Sequence, residues 1–236
     1  MAIGSNIVIA SGFDYYDGST PIGGGGDCNA SSSTVSIYNE DFYLGGITAS
    51  DPIWFYWTDS SASGGAFGIG GKAGGNLVIS SGGSGGGVGA IIFRQPTFDI
   101  SQDPIMESVW HTSENGITSR TIKAGWYVDT NDYCYFYFNT DVDANNIYVA
   151  YKNNGGAETL VDTGVNIVDS VVHNYKIALS SDGSFIAYID GVSVATGVAS
   201  ALRDVAFLPY YYITNNGVAQ HVHIWLDWIK VSQTRV

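Results

Sequence analysis

Residues 170–197 read SVVHNYKIALSSDGSFIAYIDGVSVATG, and this stretch decides the fold. Every second residue of its first part is bulky or apolar, which is the pattern of a half-buried strand. Those residues are Val171, His173, Tyr175, Ile177 and Leu179. Two Asp-Gly pairs, at 182–183 and 190–191, predict tight turns, because Asp bonds its own backbone and Gly accepts a positive φ. The stretch therefore predicts three consecutive antiparallel strands.

The rest of the chain repeats this pattern of short apolar runs separated by turn residues. Apolar residues never recur at helical spacing over a dozen positions, so we predict little or no helix. Many short strands with turns between them predict an antiparallel β-sandwich or barrel. The further strand candidates are 6–11, 33–38, 42–44, 52–58, 66–70, 76–80, 90–93, 106–112, 118–128, 133–138, 147–151, 158–162, 205–213 and 219–231.

Residues 64–89 differ from the rest in composition, with 13 glycines among 26 positions. A flexible linker would not contain apolar runs such as 77–79, so we predict short strands joined by Gly-rich turns. A phosphate-binding loop is excluded, because the Lys72 that follows the glycines is followed by Ala rather than Ser or Thr. We therefore expect residues 1–236 to form one domain.

Charge and cysteine content limit the partners and the compartment. The 236 residues carry 22 acidic and 9 basic side chains, a formal charge of −13, which argues against nucleic acid and against an anionic membrane surface. The N-terminus lacks the features of a secretory signal, so we expect synthesis in the cytoplasm. The two cysteines, Cys28 and Cys134, do not make a disulfide framework, and we expect both to be buried and unpaired.

Residues 106–231 resemble the concanavalin A-like lectin and glucanase superfamily, which includes laminin-G-like modules. The resemblance rests on the alternation at 173–177, the two Asp-Gly turns and the closing run Leu226-Asp227-Trp228-Ile229-Lys230-Val231. It implies a jelly-roll sandwich, with the N-terminal half supplying the remaining strands. Within that superfamily, an acidic chain without a secretion signal looks most like bacteriophage decoration or fibre proteins.

The catalytic motifs of jelly-roll enzymes are absent. Glucanases of this type carry E-x-D-x-x-E on one strand, and the chain has no such motif. Lys123-Ala124-Gly125 and the run 220–223 resemble alginate-lyase motifs, but their order along the chain is reversed, so we interpret the likeness as coincidence. No G-x-S-x-G elbow is present either. We therefore predict a protein without enzymatic activity.

Two polar clusters are candidates for metal binding. His221, His223 and Trp225 share one face of the last predicted strand, where a His-x-His pair can bind zinc. We favour a solvent-facing or interface role for them, because Asp227 lies too far along the strand to complete such a site. Asp141 and Asp143 begin like a calcium loop but lack its later ligands, so calcium is an open possibility beside a simple Asp-rich turn.

Tyrosines are the remaining candidates for binding, because their rings stack on sugars and fill interfaces. Tyr133, Tyr135 and Tyr137 alternate with Cys134, Phe136 and Phe138, and a second group is Tyr210, Tyr211 and Tyr212. We expect about half of these aromatic side chains to lie in the core.

These observations favour a virion structural protein that acts through its surfaces. We expect contacts with capsid or tail proteins, self-association into a homo-oligomer, and possible binding of cell-surface glycans. The alternatives are a free carbohydrate-binding module and, less favoured, a polysaccharide hydrolase or lyase with its catalytic pair on different strands.

Overall fold

A computed structural model describes residues 34–40, 54–58, 66–70, 76–83, 85–93, 98–112, 119–198 and 200–234. Sixteen strands lie in these ranges, with one 3-10 turn at Ile100–Gln102. The strands are β1 Thr34–Glu40, β2 Trp54–Thr58, β3 Ala66–Gly70, β4 Asn76–Ser80, β5 Val88–Phe93, β6 Phe98–Asp99, β7 Ile105–Thr112, β8 Thr121–Asp129, β9 Asp132–Asn139, β10 Asn146–Lys152, β11 Thr159–Asn166, β12 His173–Leu179, β13 Phe185–Ile189, β14 Val192–Gly197, β15 Ala206–Thr214 and β16 His223–Thr234.

The strands form two antiparallel sheets that pack face to face. The first sheet has the order β14-β13-β12-β7-β16-β4-β3, and β1 also pairs with β16. The second sheet has the order β11-β10-β9-β8-β15-β5-β2, and β6 also pairs with β15. The chain is thus an all-β sandwich, as the turn and alternation patterns predicted. No helix in the described ranges is long and apolar enough to cross a bilayer.

The core lies between the two sheets and consists of the inward-facing half of each alternating strand. Tyr175, Ile177 and Leu179 of β12 are buried there, as predicted from residues 170–197. Val171 is not part of this face, because it precedes β12 and is 42% exposed. Trp126 of the second sheet links the layers by donating its indole N–H to the carbonyl oxygen of Ile177, 3.2 Å away.

One β-bulge changes the predicted faces of the last strand. Regular alternation would place Trp228 on the inner face with Leu226, but the register between β16 and β7 shifts between these two residues. A bulge adds one residue and reverses the alternation beyond it. Ile229 and Val231 therefore lie in the core, fully buried, and Trp228 pairs with Val109 on the outer face. Simple alternation along the sequence therefore places Trp228 on the wrong face.

Two further comparisons with the sequence predictions concern strand ends and cysteines. The last strand begins at His223 rather than at residue 219, and the strand candidates 6–11 and 42–44 lie outside the described residues. Cys134 is buried in the core as a free thiol, which agrees with the expectation for that residue. Cys28 also lies outside the described residues.

Candidate functional site

The outer face of the second sheet carries a group of tyrosines that three adjacent strands bring together. On β8 and β9 the core takes Ile122, Ala124, Trp126, Cys134, Phe136 and Phe138, so the residues between them face outward. β15 pairs with β8 on the side opposite to β9. We call the resulting surface the tyrosine face; its members are Lys123, Gly125, Tyr127, Tyr133, Tyr135, Tyr137, Tyr210 and Tyr212.

Strand register arranges these residues in rows across the sheet. One row runs Tyr137, Lys123, Tyr212, and the next runs Tyr135, Gly125, Tyr210. Because cross-strand neighbours on one face are about 5 Å apart, the side chains of a row are close enough to contact one ligand together. Gly125 lies between the two tyrosines of the second row and has no side chain of its own.

Ring contacts order the face into stacked pairs. Tyr133 stacks on Tyr135 with ring centroids 4.6 Å apart, and Tyr127 stacks on Tyr210 at the same distance. Tyr133 and Tyr135 are 7% and 2% exposed, so their rings support the face rather than line its surface. Tyr137 and the other rings of the face are partly exposed. A ligand would contact these partly exposed rings.

A hydrogen bond and a half-buried cation set the electrostatics of the face. The Tyr133 hydroxyl donates to Oε2 of Glu158 at 2.5 Å. The Nζ atom of Lys123 lies 5.4 Å from the ring centroid of Tyr135 and 5.2 Å from that of Tyr212, within cation–π range. Burial lowers the pKa of Lys123, and the negative charge of Glu158 partly offsets this effect.

The tyrosine hydroxyls on this face stay protonated. Burial raises the pKa of Tyr133, Tyr135 and Tyr210 well above 10, and neighbouring negative charge raises it further. A tyrosine that acts as a general base needs the opposite shift. These hydroxyl groups therefore form hydrogen bonds and are not suited to abstracting a proton from a ligand.

The structure separates the six tyrosines that the sequence singled out. It brings Tyr133, Tyr135, Tyr137, Tyr210 and Tyr212 onto one face, although β9 and β15 are about 70 residues apart in sequence. Tyr211 faces the other way and is fully buried in the core. It cannot contact a surface ligand, because the alternation of β15 turns it inward.

The sequence reading missed Lys123, Gly125, Tyr127 and Glu158 as site residues. Alternation within residues 121–129 places the first three opposite to Ile122, Ala124 and Trp126, so a signal for their shared face was present. The sequence pattern carries no signal that β15 would pair beside β8. Glu158 precedes β11, and only the pairing of β9, β10 and β11 brings it to Tyr133.

The histidine candidates lie on the outer face of the first sheet, away from the tyrosine face. The rings of His221 and His223 stack with centroids 5.9 Å apart, and His223 meets Trp225 edge-on. Burial lowers the pKa of His223, and the neighbouring His221 adds to the shift. In the ranges that the structure describes, no group of three or more His, Cys, Asp or Glu side chains could hold a metal ion.

The Asp-rich segment after β9 forms a turn. The Asp143 carboxylate accepts backbone N–H groups of Asn145 and Asn146 at 2.8 and 3.0 Å. Asn139 Oδ1 accepts the N–H of Asp141 at 2.9 Å. These are the side-chain-to-backbone bonds by which Asp and Asn close turns, the simpler of the two readings of this segment.

Comparison with solved structures identifies the fold. The carbohydrate recognition domain of Emp47p matches at a TM-score of 0.60 and 12% identity, over 89% of this chain and 99% of that one. Bacillus licheniformis β-glucanase matches at 0.59 and 14%, over 84% and 98%. A structure from work on endo-acting O-glycanases of the human gut microbiota matches at 0.63 and 11%, over 85% and 100%. The fold is a jelly-roll β-sandwich like that of these proteins.

These similarities are structural and carry no closer assignment. No family model matches the chain, and no curated protein matches it in sequence. Because the identities are so low, the matches establish the jelly-roll architecture alone. Their names nevertheless place glycan binding and glycan cleavage on this scaffold in other proteins.

Proposed function

We propose that this protein binds carbohydrate on the tyrosine face. The observation that carries the proposal is the convergence of six tyrosines from β8, β9 and β15 on one side of one sheet. Sugar rings present apolar C–H faces and polar edges, and tyrosine offers an apolar ring with a hydrogen-bonding hydroxyl. The carbohydrate recognition domain and the glycan-active enzymes with the same fold support this proposal.

We propose binding without catalysis. A retaining glycosidase needs two carboxyl groups about 5–5.5 Å apart beside the scissile bond. Glu158 is the carboxylate that bonds to a tyrosine of this face, and its partner is a hydroxyl group rather than a second acid. The raised pKa of Tyr133 and Tyr135 likewise disfavours these residues as bases.

A glycan array followed by calorimetry on the best-bound oligosaccharide tests the proposal. Tyr137 and Tyr212 flank Lys123 and are partly exposed, so Tyr137→Ala and Tyr212→Ala should each weaken binding about tenfold, the effect of 1.4 kcal/mol. Tyr188→Ala is the matched control, because Tyr188 is a partly exposed tyrosine on β13 of the first sheet. Absence of any bound glycan, or equal losses in all three variants, would contradict the proposal.

We extend the proposal to a biological setting, display of this module on a virus particle. Its support is the resemblance of the sequence to phage decoration and fibre proteins, together with a charge of −13 that keeps a densely displayed protein soluble. In that setting the module would contact capsid or tail proteins and self-associate. Antibody labelling of purified particles tests this, and particles that lack the protein would exclude it.

A further inference from the structure

Lys123 is the cation at the centre of the tyrosine face. It lies in the row between Tyr137 and Tyr212, and its side chain is half-buried among tyrosine rings. Within the described ranges, no group accepts a hydrogen bond from its amino group and no carboxylate forms an ion pair with it. Its neighbours are the rings of Tyr135 and Tyr212, so its N–H donors remain available for hydrogen bonds to a ligand.

The other charged groups leave this cation available to a ligand. Glu158, the acidic group whose charge acts on Lys123, accepts a hydrogen bond from the Tyr133 hydroxyl. It precedes β11 at the edge of the sheet, whereas Tyr212 lies on β15 on the opposite side of β8. An anion that approaches Lys123 from the β15 side therefore avoids the Glu158 carboxylate.

We infer that the bound glycan is acidic and that the carboxylate of one sugar unit pairs with Lys123. This inference rests on the proposed function. The ammonium group would donate charge-assisted hydrogen bonds to the carboxylate, which are about twice as strong as neutral ones. Neighbouring rings at Tyr212 and Tyr210 would contact the apolar face of the same sugar. The site thus distinguishes a uronic acid from the corresponding neutral sugar by the carboxylate that the uronic acid carries at C6.

Two trisaccharides that differ only at C6 test the inference. The probes are the β-1,4-linked trimer of glucuronic acid and cellotriose, which carries hydroxymethyl groups in place of the carboxylates. Calorimetry should give an affinity at least about tenfold higher for the acidic trimer, because the carboxylate adds charge-assisted hydrogen bonds that the hydroxymethyl group lacks.

Variants of Lys123 show whether this side chain carries the preference. Lys123→Met keeps the apolar stem between the rings and removes the charge, so the acidic trimer should bind only as well as cellotriose. Lys123→Arg should retain most of the preference. Lys176→Met is the matched control, because Lys176 also lies over a tyrosine ring, 4.3 Å from the centroid of Tyr188, but on the first sheet.

The outcomes separate the inference from the proposal on which it rests. Equal binding of both trimers by the wild type, or a preference that survives in Lys123→Met, would overturn the acidic-glycan inference while leaving carbohydrate binding intact. Binding of neither trimer, together with an empty glycan array, would overturn both. Circular dichroism of Lys123→Met should match the wild type, because methionine keeps the apolar stem packed between the rings and only the cation–π contacts are lost.

Discussion

Gly125 is a single residue on which the close pairing of β8 and β9 under the tyrosine face depends. Its backbone passes so close to β9 that an added Cβ would lie 2.6 Å from the Cα of Tyr135 and 2.8 Å from the carbonyl oxygen of Cys134. Both contacts are with backbone, which cannot move aside as the end of a flexible side chain can. Glycine at this position therefore permits the close pairing of β8 and β9 beneath the rings.

Gly125→Ala should destabilise the protein by about 3 kcal/mol, at the upper end of the cost of overpacking. Gly164→Ala is the control: Gly164 also has a positive φ, +68°, but its Cβ would meet nothing within 4 Å. That substitution should cost only the conformational strain, about 1–2 kcal/mol. Urea unfolding measures both, and equal costs would mean that the close approach at Gly125 relaxes freely.

At the scale of elements, the sequence predicted strands far better than it predicted their neighbours. The Asp-Gly pair at 190–191 directly indicated the β13–β14 hairpin, and a turn of this type is a local property. The pairing of β16 with β7, β4 and β1 joins segments more than 100 residues apart, and nothing local specifies it. Pairing between distant strands also assembles the tyrosine face. The sequence therefore indicated its two groups of tyrosines, but not that they lie on one surface with Lys123.

The bulge in β16 could not be predicted from the sequence either, because the alternation of residues before it is regular. Its presence makes an unusual deletion tolerable. Removing Asp227 would join Leu226 directly to Trp228 and restore a regular ladder with β7, with Ile229 still facing the core. We expect this deletion to cost no more than about 2 kcal/mol, the range of most single changes.

Deletion of Lys230 is the matched comparison, since Lys230 is exposed on the same strand. The pairing of β16 with β7 is regular there, so no extra residue of β16 absorbs the change and Val231 would turn outward. Losing the burial of the Val231 side chain should cost about 1.5–3 kcal/mol. Thermal unfolding should therefore show a clearly lower midpoint for the Lys230 deletion, and the reverse order would mean that the bulge itself is required.

At the scale of the whole molecule, tyrosines contribute both to the core and to the outer face, and burial raises their pKa in both places. It raises the pKa of Tyr175 and Tyr211 in the core and of Tyr135 on the tyrosine face well above the usual value near 10. A group whose pKa is raised on folding stabilises the fold below its unfolded pKa and loses that contribution as the pH rises. The protein should accordingly be stable at neutral pH and sensitive to alkali.

Alkaline unfolding should begin near pH 10 and be steep. Above that pH, the unfolded chain releases protons that the folded chain retains, and each retained proton lowers the free energy of unfolding by about 1.4 kcal/mol per pH unit. Three such tyrosines together give about 4 kcal/mol per pH unit. Tyrosinate absorbance at 295 nm from these residues should therefore appear together with the loss of tryptophan fluorescence characteristic of the fold. If all the tyrosines of the chain titrated smoothly around pH 10 while the fluorescence stayed native, the rings would have to be open to solvent, which would remove the packed tyrosine face on which the proposed binding depends.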